Sequence, residues 1–489
     1  MVGIESHRVI YISAIQYTLT YITISSSYQW ILFLQICMAP HAKKPAGISR
    51  RNTLTTTGAA LAAASGLAGC LGGNSSGGGA QFSPINEELT VWHAMGGTNG
   101  ETLNQIGTNF EEEFETGVNM EFQDSYENVL TNTLSAFDSG NVSDMLQVDS
   151  LFAQQVLDTD QVRPVEEILP DDFDADIFLD NVAEFFTVDG ELTSLPFNNS
   201  NAIMYINRDA FEEAGLDPDD PPQTLAEVRS ASEQLVDQGV TQYGITWPNH
   251  VWFVETWYGF EGELLTDAEN GHAGEPSEFR TPDAAYDLYD WWKGMSDDGL
   301  YTNPGIEAWG EATSLFIEQE AAMVLTSTAS VAGLIADSED FTVGAAPYPS
   351  ISETRVGPVI GGASFYVPDG LPEERYEEIG QLLEYMSRPE VQTEWHKGSG
   401  YYPITQPSVD ALDEEGWFEE NPMYQVALDQ LQNGDASDPA TKRALLGPAR
   451  NVQTVIQNKS VDILNADSID AEIEALKTDV DDVLTEYYN

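Results

Sequence analysis

The stretch LTVWHAMGGTNGETLNQIGTNFEEEFETGVNMEFQ, residues 89–123, decides the fold. Leu89 to Ala94 reads as a strand. Gly96 to Gly100 reads as a turn. From Glu101 to Glu115, Leu103, Ile106, Phe110 and Phe114 recur at helical spacing and predict one buried face. Val118 to Gln123 reads as a second strand. Working outward, Asn128–Phe137 predicts a second helix with Val129, Leu130, Leu134 and Phe137 inward, and Asp144–Asp149 predicts a third strand. Strands alternating with helices mean βαβ units and a mainly parallel sheet, so the expected class is α/β. The body exceeds the usual size of a single core, and two lobes are expected. Its second half is richer in helix, Trp and Tyr, and no internal repeat is visible.

The charge is extreme. Asp and Glu number 81 against 19 Lys and Arg, a formal net charge of −62 over 489 residues. Self-repulsion of this size costs compactness. Concentrated salt relieves it, because the screening length falls to about 3 Å at 1 M. The acids are spread evenly and 42% of residues are apolar, which argues for folded cores rather than an acidic tail. The reading is a folded protein adapted to strong brine. With no basic patch to neutralise phosphates, nucleic acid and anionic membrane surfaces are poor partners.

One region suspends this rule. No acid occurs between Ser6 and Asn86, and SRRNTLTTTGAALAAASGLAGC, residues 49–70, has the layout of an export signal. Arg50 and Arg51 form its charged start, and Thr53–Gly66 is too short and too weakly apolar to span a membrane. Leu67-Ala68-Gly69 puts small residues before Cys70, whose thiol is expected to carry a lipid anchor. The S-R-R-x-x-L start resembles a twin-arginine signal, with Thr53 where a bulky apolar residue is usual. A chance Arg pair before an Ala-rich helix is the other reading. Residues 1–37 read as a spurious extension before a start at Met38, with an extra membrane segment as the alternative, and 38–69 as the signal. With Cys37 removed and Cys70 blocked, no disulfide or Cys-based metal site is expected. LGGNSSGGGAQ opens a flexible tether over residues 70–85.

Familiar catalytic motifs do not occur: the chain has no GxxxxGK[ST], HExxH or GxSxG, and no GxGxxG after a strand. The six histidines are scattered and read as surface or core residues; no metal site and no cofactor is expected. Paired carboxylates for glycoside hydrolysis are uninformative in so acidic a chain, because any spacing can be found. WPNHVWFVETWY, residues 247–258, gathers Trp247, Trp252, Trp257 and Tyr258, either as a wall for stacking on a sugar or as lobe core. PFNNS reads as a hinge between two strands, and GGAS, residues 361–364, as a place where backbone passes close to a ligand. Tyr126 opens the second helix, where ligands of open α/β lobes sit.

In order along the chain, VWHAMGG, SYENVL, MLQVDS, LPFNNSNAIMYINRDAFEEAGLDP, AAMVLTSTAS, VIGGASFYV and EWHKGSGYYPIT closely resemble the solute-binding proteins of carbohydrate-type ABC importers, nearest to their glycerol-3-phosphate-binding branch. The resemblance covers roughly residues 88–460. It implies a two-lobed periplasmic-binding-protein-like fold (type II) with hinge crossovers, closing on a sugar, polyol or glycerol-phosphate-like solute. It implies a monomer that docks on permease subunits at the extracellular face of the membrane and does no chemistry. A secreted carbohydrate-active enzyme or a surface adhesin is the competing class. The family's contacts carry over to Tyr126, Ser200, Ser327, Gly362 and Tyr401, with Trp247 and Trp252 as the aromatic wall. Two positions depart from the glycerol-3-phosphate binders. Asp149-Ser150 stands where they have a carboxylate, Ser150 at the aligned place. Gln453 stands where they have the phosphate-holding arginine, with Arg450 about one turn earlier. A displaced guanidinium puts a phosphorylated ligand in doubt. The expected lobes are 86–197 with 326–362, and 198–325 with 363–489.

Overall fold

The computed structural model describes residues 81–188 and 190–489. The readings of residues 1–37, of the signal and of Cys70 lie outside them. Of the expected tether 70–85 only its last residues are described, and these pack on the fold. Ser83–Pro84 pairs with Asn141–Val142, and Phe82 is buried with its ring stacked 5.5 Å from that of Phe137. An aromatic side chain with a hydrophobic slot to fill fixes the chain to the fold before residue 86.

The strands of the two main sheets are, in chain order, β1 (Leu89–His93), β2 (Val118–Phe122), β3 (Met145–Asp149), β4 (Val162–Arg163), β5 (Leu195–Ser200), β6 (Ala202–Asn207), β7 (Tyr243–Thr246), β8 (Tyr301–Thr302), β9 (Ala321–Ser327), β10 (Val343–Ala346) and β11 (Gly361–Pro368). One sheet runs β2-β1-β3-β11-β4, with β5 also on β11. The other runs β8-β7-β9-β6-β10. The opening βαβ unit is as expected: β1 pairs parallel with β2 in the register Leu89↔Val118 and with β3 at Val91↔Met145. The sheets are mixed rather than mainly parallel. β11 runs antiparallel to β3 and β5, and β6 runs antiparallel to β9 and β10. These antiparallel strands are the ones that carry the chain into or out of a sheet at the crossovers.

The helix after β1, α1 (Gly97–Phe114), starts four residues earlier than its apolar spacing suggests. Gly100 explains this, since a Cβ there would lie 2.5 Å from the Met95 carbonyl oxygen. Glycine allows the first turn to close where a side chain would block it. Leu103, Ile106 and Phe110 are buried, as expected. The next helix, α2 (Tyr126–Ser139), is capped by Ser125, whose hydroxyl accepts from Asn128 N at 3.2 Å, and it ends on Gly140 at φ 79°. A third helix, α3 (Val251–Glu261), is buried over nearly all its length, and its mostly apolar surface, as expected of a helix inside a lobe, is broken by Glu255 and Thr256.

The expected lobe limits need correction. β9 and β10 belong to the second sheet, so most of 326–362 does not lie with the first. The chain returns only with β11. Helices Glu373–Met386 and Pro389–Ser399 then stay in the first half, where Tyr385 meets Phe110 edge-on at 5.3 Å and Arg388 pairs with Glu113 at 2.8 Å. The buried apolar side chains of the two halves are contiguous across the crossovers.

Candidate functional site

β5 ends at Ser200 and β6 begins at Ala202, so at this first crossover Asn201 is the whole link between the sheets. The crossing is held on several sides. Thr328 N donates to the Asn201 carbonyl at 3.1 Å, Tyr402 N to the Asn199 carbonyl at 3.2 Å, and Asn201 Nδ2 to the Ala427 carbonyl at 2.9 Å. Beside it runs β11, whose Gly362 sits at φ 90° with no room for a Cβ, which would fall 1.8 Å from the Asn198 carbonyl oxygen. The neighbouring Gly361 lies against the Trp252 ring. The glycines therefore serve strand-to-strand and strand-to-ring approach, a tighter demand than approach to a ligand.

Where these strands meet, a cavity of about 470 Å³ opens between the halves. The first half contributes Tyr126 and Glu127 from the start of α2, Asp149 from the end of β3, and Phe152 just after it. Ser200, Ser327, Gly362 and Tyr401 enter from the crossing segments. The second half contributes His250 and Trp252 at the start of α3, with Glu307, Trp309, Arg443 and Gln453. Sites at strand ends and helix starts are what open α/β sheets provide.

Eight of the eleven candidate contacts thus face one space: Tyr126, Asp149, Ser200, Trp252, Ser327, Gly362, Tyr401 and Gln453. Three do not. Trp247 is fully buried in an aromatic cluster of the second half, its ring 5.7 Å from Trp257, 5.2 Å from Trp292 and 4.0 Å from Tyr301. It is core, because it follows directly on β7, where the chain is still inside the lobe. Ser150 is buried behind the wall, its hydroxyl accepting from Arg443 Nη1 at 2.8 Å. Arg450 is half exposed, paired with Glu127 at 3.1 Å, its guanidinium 5.7 Å from the Phe152 ring centre.

Arg443 is the residue that sequence reading missed. Its side chain is 3% exposed, and it binds Asp149 at 3.0 Å from one half and Glu255 of α3 at 3.2 Å from the other. Glu255 also accepts from Ala444 N at 3.3 Å. A signal was present. Glu255 interrupts the apolar run of α3, and Arg443 precedes Ala-Leu-Leu in a chain with few bases. Isolated buried charges of this kind demand partners. His250, Glu307, Trp309 and Phe152 carried no comparable signal.

Burial raises the Asp149 and Glu255 carboxyls above the ordinary range, and the Arg443 cation pulls both back. Burial, then the positive charges of Arg443 and Arg450, lowers His250 to about 3, so its ring stays neutral. The ring caps α3 by accepting from Trp252 N at 3.1 Å, and Gln453 Nε2 lies 3.1 Å from its other nitrogen. Gln453 Nε2 also donates to Glu307 at 2.9 Å, while its buried Oε1 has no partner among the described residues. Tyr126 Oη accepts from Asn198 Nδ2 at 2.8 Å. The walls therefore offer aromatic faces with hydroxyl, amide and carboxylate groups, the set that holds a polyhydroxylated molecule.

The comparisons with known proteins agree with this geometry. The family model for bacterial extracellular solute-binding proteins matches residues 105–425. The sn-glycerol-3-phosphate-binding periplasmic protein UgpB of Yersinia pestis is 30% identical over 76% of this chain and 86% of its own length. That of Salmonella typhimurium is 28% identical over 76% and 86%. Among solved structures, UgpB from Mycobacterium tuberculosis in complex with glycerophosphocholine superposes with a TM-score of 0.70 at 19% identity, over 83% of this chain and all of that one. The cyclic alpha-maltosyl-1,6-maltose binding protein from Arthrobacter globiformis gives 0.67 at 22% identity, over 83% and 100%. The two-lobed α/β fold, the cleft at its crossovers and the match along most of its length make this chain a member of the bacterial extracellular solute-binding protein family.

Proposed function

We propose that this chain is the capture subunit of an ABC importer and that its solute is an uncharged polyhydroxylated molecule, a sugar or a polyol. The halves close on the solute, and the closed form delivers it to permease subunits. The observation that carries the choice of solute is the charge balance of the cavity. Asp124, Glu127, Asp149 and Glu307 line it against one lining cation, Arg443, and that cation is already bound to two carboxylates. A phosphate dianion placed there meets more negative charge than positive. By the family resemblance Gln453 stands where the glycerol-3-phosphate-binding branch is expected to carry an arginine, and Arg450 is turned to Glu127. Trp252, Trp309, Tyr126 and Tyr401 supply faces for sugar CH groups.

The finer picture rests on the sequence. The small residues before Cys70 support lipid anchoring, the Arg50-Arg51 pair supports twin-arginine export, and the acid excess supports work in concentrated salt as a monomer on the outer face of the membrane. A thermal-shift screen in molar KCl tests the choice of solute. Neutral sugars and polyols, with sn-glycerol-3-phosphate beside them, are added to the purified chain. A bound solute at 100 times its Kd adds about 2.7 kcal/mol of stability. A shift from at least one neutral compound and none from the phosphate ester is expected. Stabilisation by the phosphate ester in preference to every neutral compound refutes the reading.

A further inference from the structure

Glu255 has no evident reason to exist as a carboxylate. It occupies the middle of α3, between Val254 and Thr256, with Trp252, Phe253, Trp257 and Tyr258 buried around it. It does not line the cavity. Its carboxylate is 3% exposed and does one thing besides accepting from Ala444 N: it meets Arg443 Nε. Burying an extra charge is costly and is not needed for packing, since an uncharged side chain of the same shape fills the same space. Arg443 already has Asp149 and Ser150 as partners from the opposite half, through Nη1. Its Nη2 makes no hydrogen bond among the described residues, and the residue faces the cavity. A guanidinium with a free nitrogen at a cleft wall is a ready anion site, and its planar fork suits phosphate.

We infer that Glu255 is a specificity-determining residue: from behind the wall it neutralises Arg443, so that the cleft turns away phosphorylated solutes and accepts neutral ones. This rests on the proposed capture of a neutral polyol or sugar in the same cavity. The two carboxylates on Arg443 make the triad net negative. Removing the Glu255 charge leaves a balanced Arg443–Asp149 pair and restores the pull of the free guanidinium nitrogen on an anion. At buried distances such a change is weakly screened even in molar salt.

The test is Glu255→Gln, which keeps the shape and an oxygen for Ala444 N. Isothermal titration with sn-glycerol-3-phosphate is run on wild type and variant in molar KCl. The variant is expected to bind the phosphate ester at least about tenfold more tightly than wild type, as removal of a like charge beside an anion predicts. A purely structural role weakens every ligand and cannot produce this gain, so an unchanged or weaker affinity in a folded variant overturns the inference. If the wild type itself binds the phosphate ester more tightly than any neutral compound, it is the neutral-solute reading that fails, whatever the variant does. Where Glu255→Gln does not give a cooperative melt, the double variant E255Q/R443Q replaces it. Losing the cation together with its counter-charge leaves no anion site, so the double variant is expected to reject sn-glycerol-3-phosphate as wild type does. Saturable phosphate binding by it overturns the assignment.

Discussion

Trp247 and Trp252 lie five residues apart in one aromatic run, yet one is core and the other faces the cavity. What separates them is His250, which ends the loop after β7 and caps α3, turning the helix so that its first turn meets the cleft. Trp252 is also fixed from behind. Its indole Nε1 donates to the Val359 carbonyl at 3.1 Å, and its ring fills the space that Gly361 leaves. A ring held this rigidly loses little entropy when a solute stacks on it. Trp252→Ala is expected to weaken solute binding at least about tenfold, as the loss of a buried aromatic anchor does. Arg450→Ala, which removes only a half-exposed pair, is expected to change it less than about threefold. Titration of both variants with the best neutral compound checks this, and equal losses would contradict the assignment of Arg450 to the surface.

At the scale of elements, the crossovers decide what the halves can do. β5 and β11 lie side by side at the boundary, and Gly362 lets them approach at a backbone angle that L side chains rarely adopt. Gly362→Ala forces a methyl into the Asn198 carbonyl and strains φ as well. A loss of at least about 2 kcal/mol is expected, read as a lower denaturation midpoint, because both a clash and a left-handed residue are involved. A midpoint within error of wild type would show that the strand pair shifts freely and is not the fixed element described above. α2 plays a quieter part. Its Ser125 cap places Tyr126 at the cavity edge, where Asn198 of the crossing strand holds the hydroxyl.

For the molecule as a whole, charge sets the conditions of stability. Among the described residues, every Lys and Arg except Arg355 pairs with a carboxylate. Arg355 instead donates to the Tyr348 carbonyl at 2.8 Å and lies over the Phe260 ring. The remaining carboxylates repel one another, a cost that salt reduces. pH acts through other groups. Burial lowers His250 to about 3 and His93, His272 and His396 to about 4. Their unfolded value is near 6.5, so between about 4 and 6.5 the unfolded chain binds more protons and stability falls as pH drops. Asp144, Asp149 and Glu255 act in the opposite sense, since burial raises them, but Arg375 and Arg443 pull them back. The histidines are therefore expected to dominate. Each costs up to about 2 kcal/mol between pH 6.5 and 5. Thermal melts at fixed molar KCl should show Tm falling over that range, and a flat or rising profile would sink the assignment.

The sequence by itself determined the βαβ opening and the start of α2, while the candidate wall residues Ser200, Ser327, Gly362 and Tyr401 came from the family resemblance and not from periodicity. The opening and the helix start follow from local periodicity and from motifs whose residues are neighbours in the chain, as Leu103, Ile106 and Phe110 are on α1, or Ser125 and Tyr126 at the start of α2. Only the tertiary structure decided that β10 stays with the second sheet, that Trp247 is core, and that Arg443 stands between Asp149 and Glu255. The reason is distance along the chain. Asp149 and Arg443 are 294 residues apart, and Glu255 and Arg443 are 188 apart. A buried charge announces in sequence that it needs a partner, but which of the many acids answers is fixed only when two sheets fold against each other.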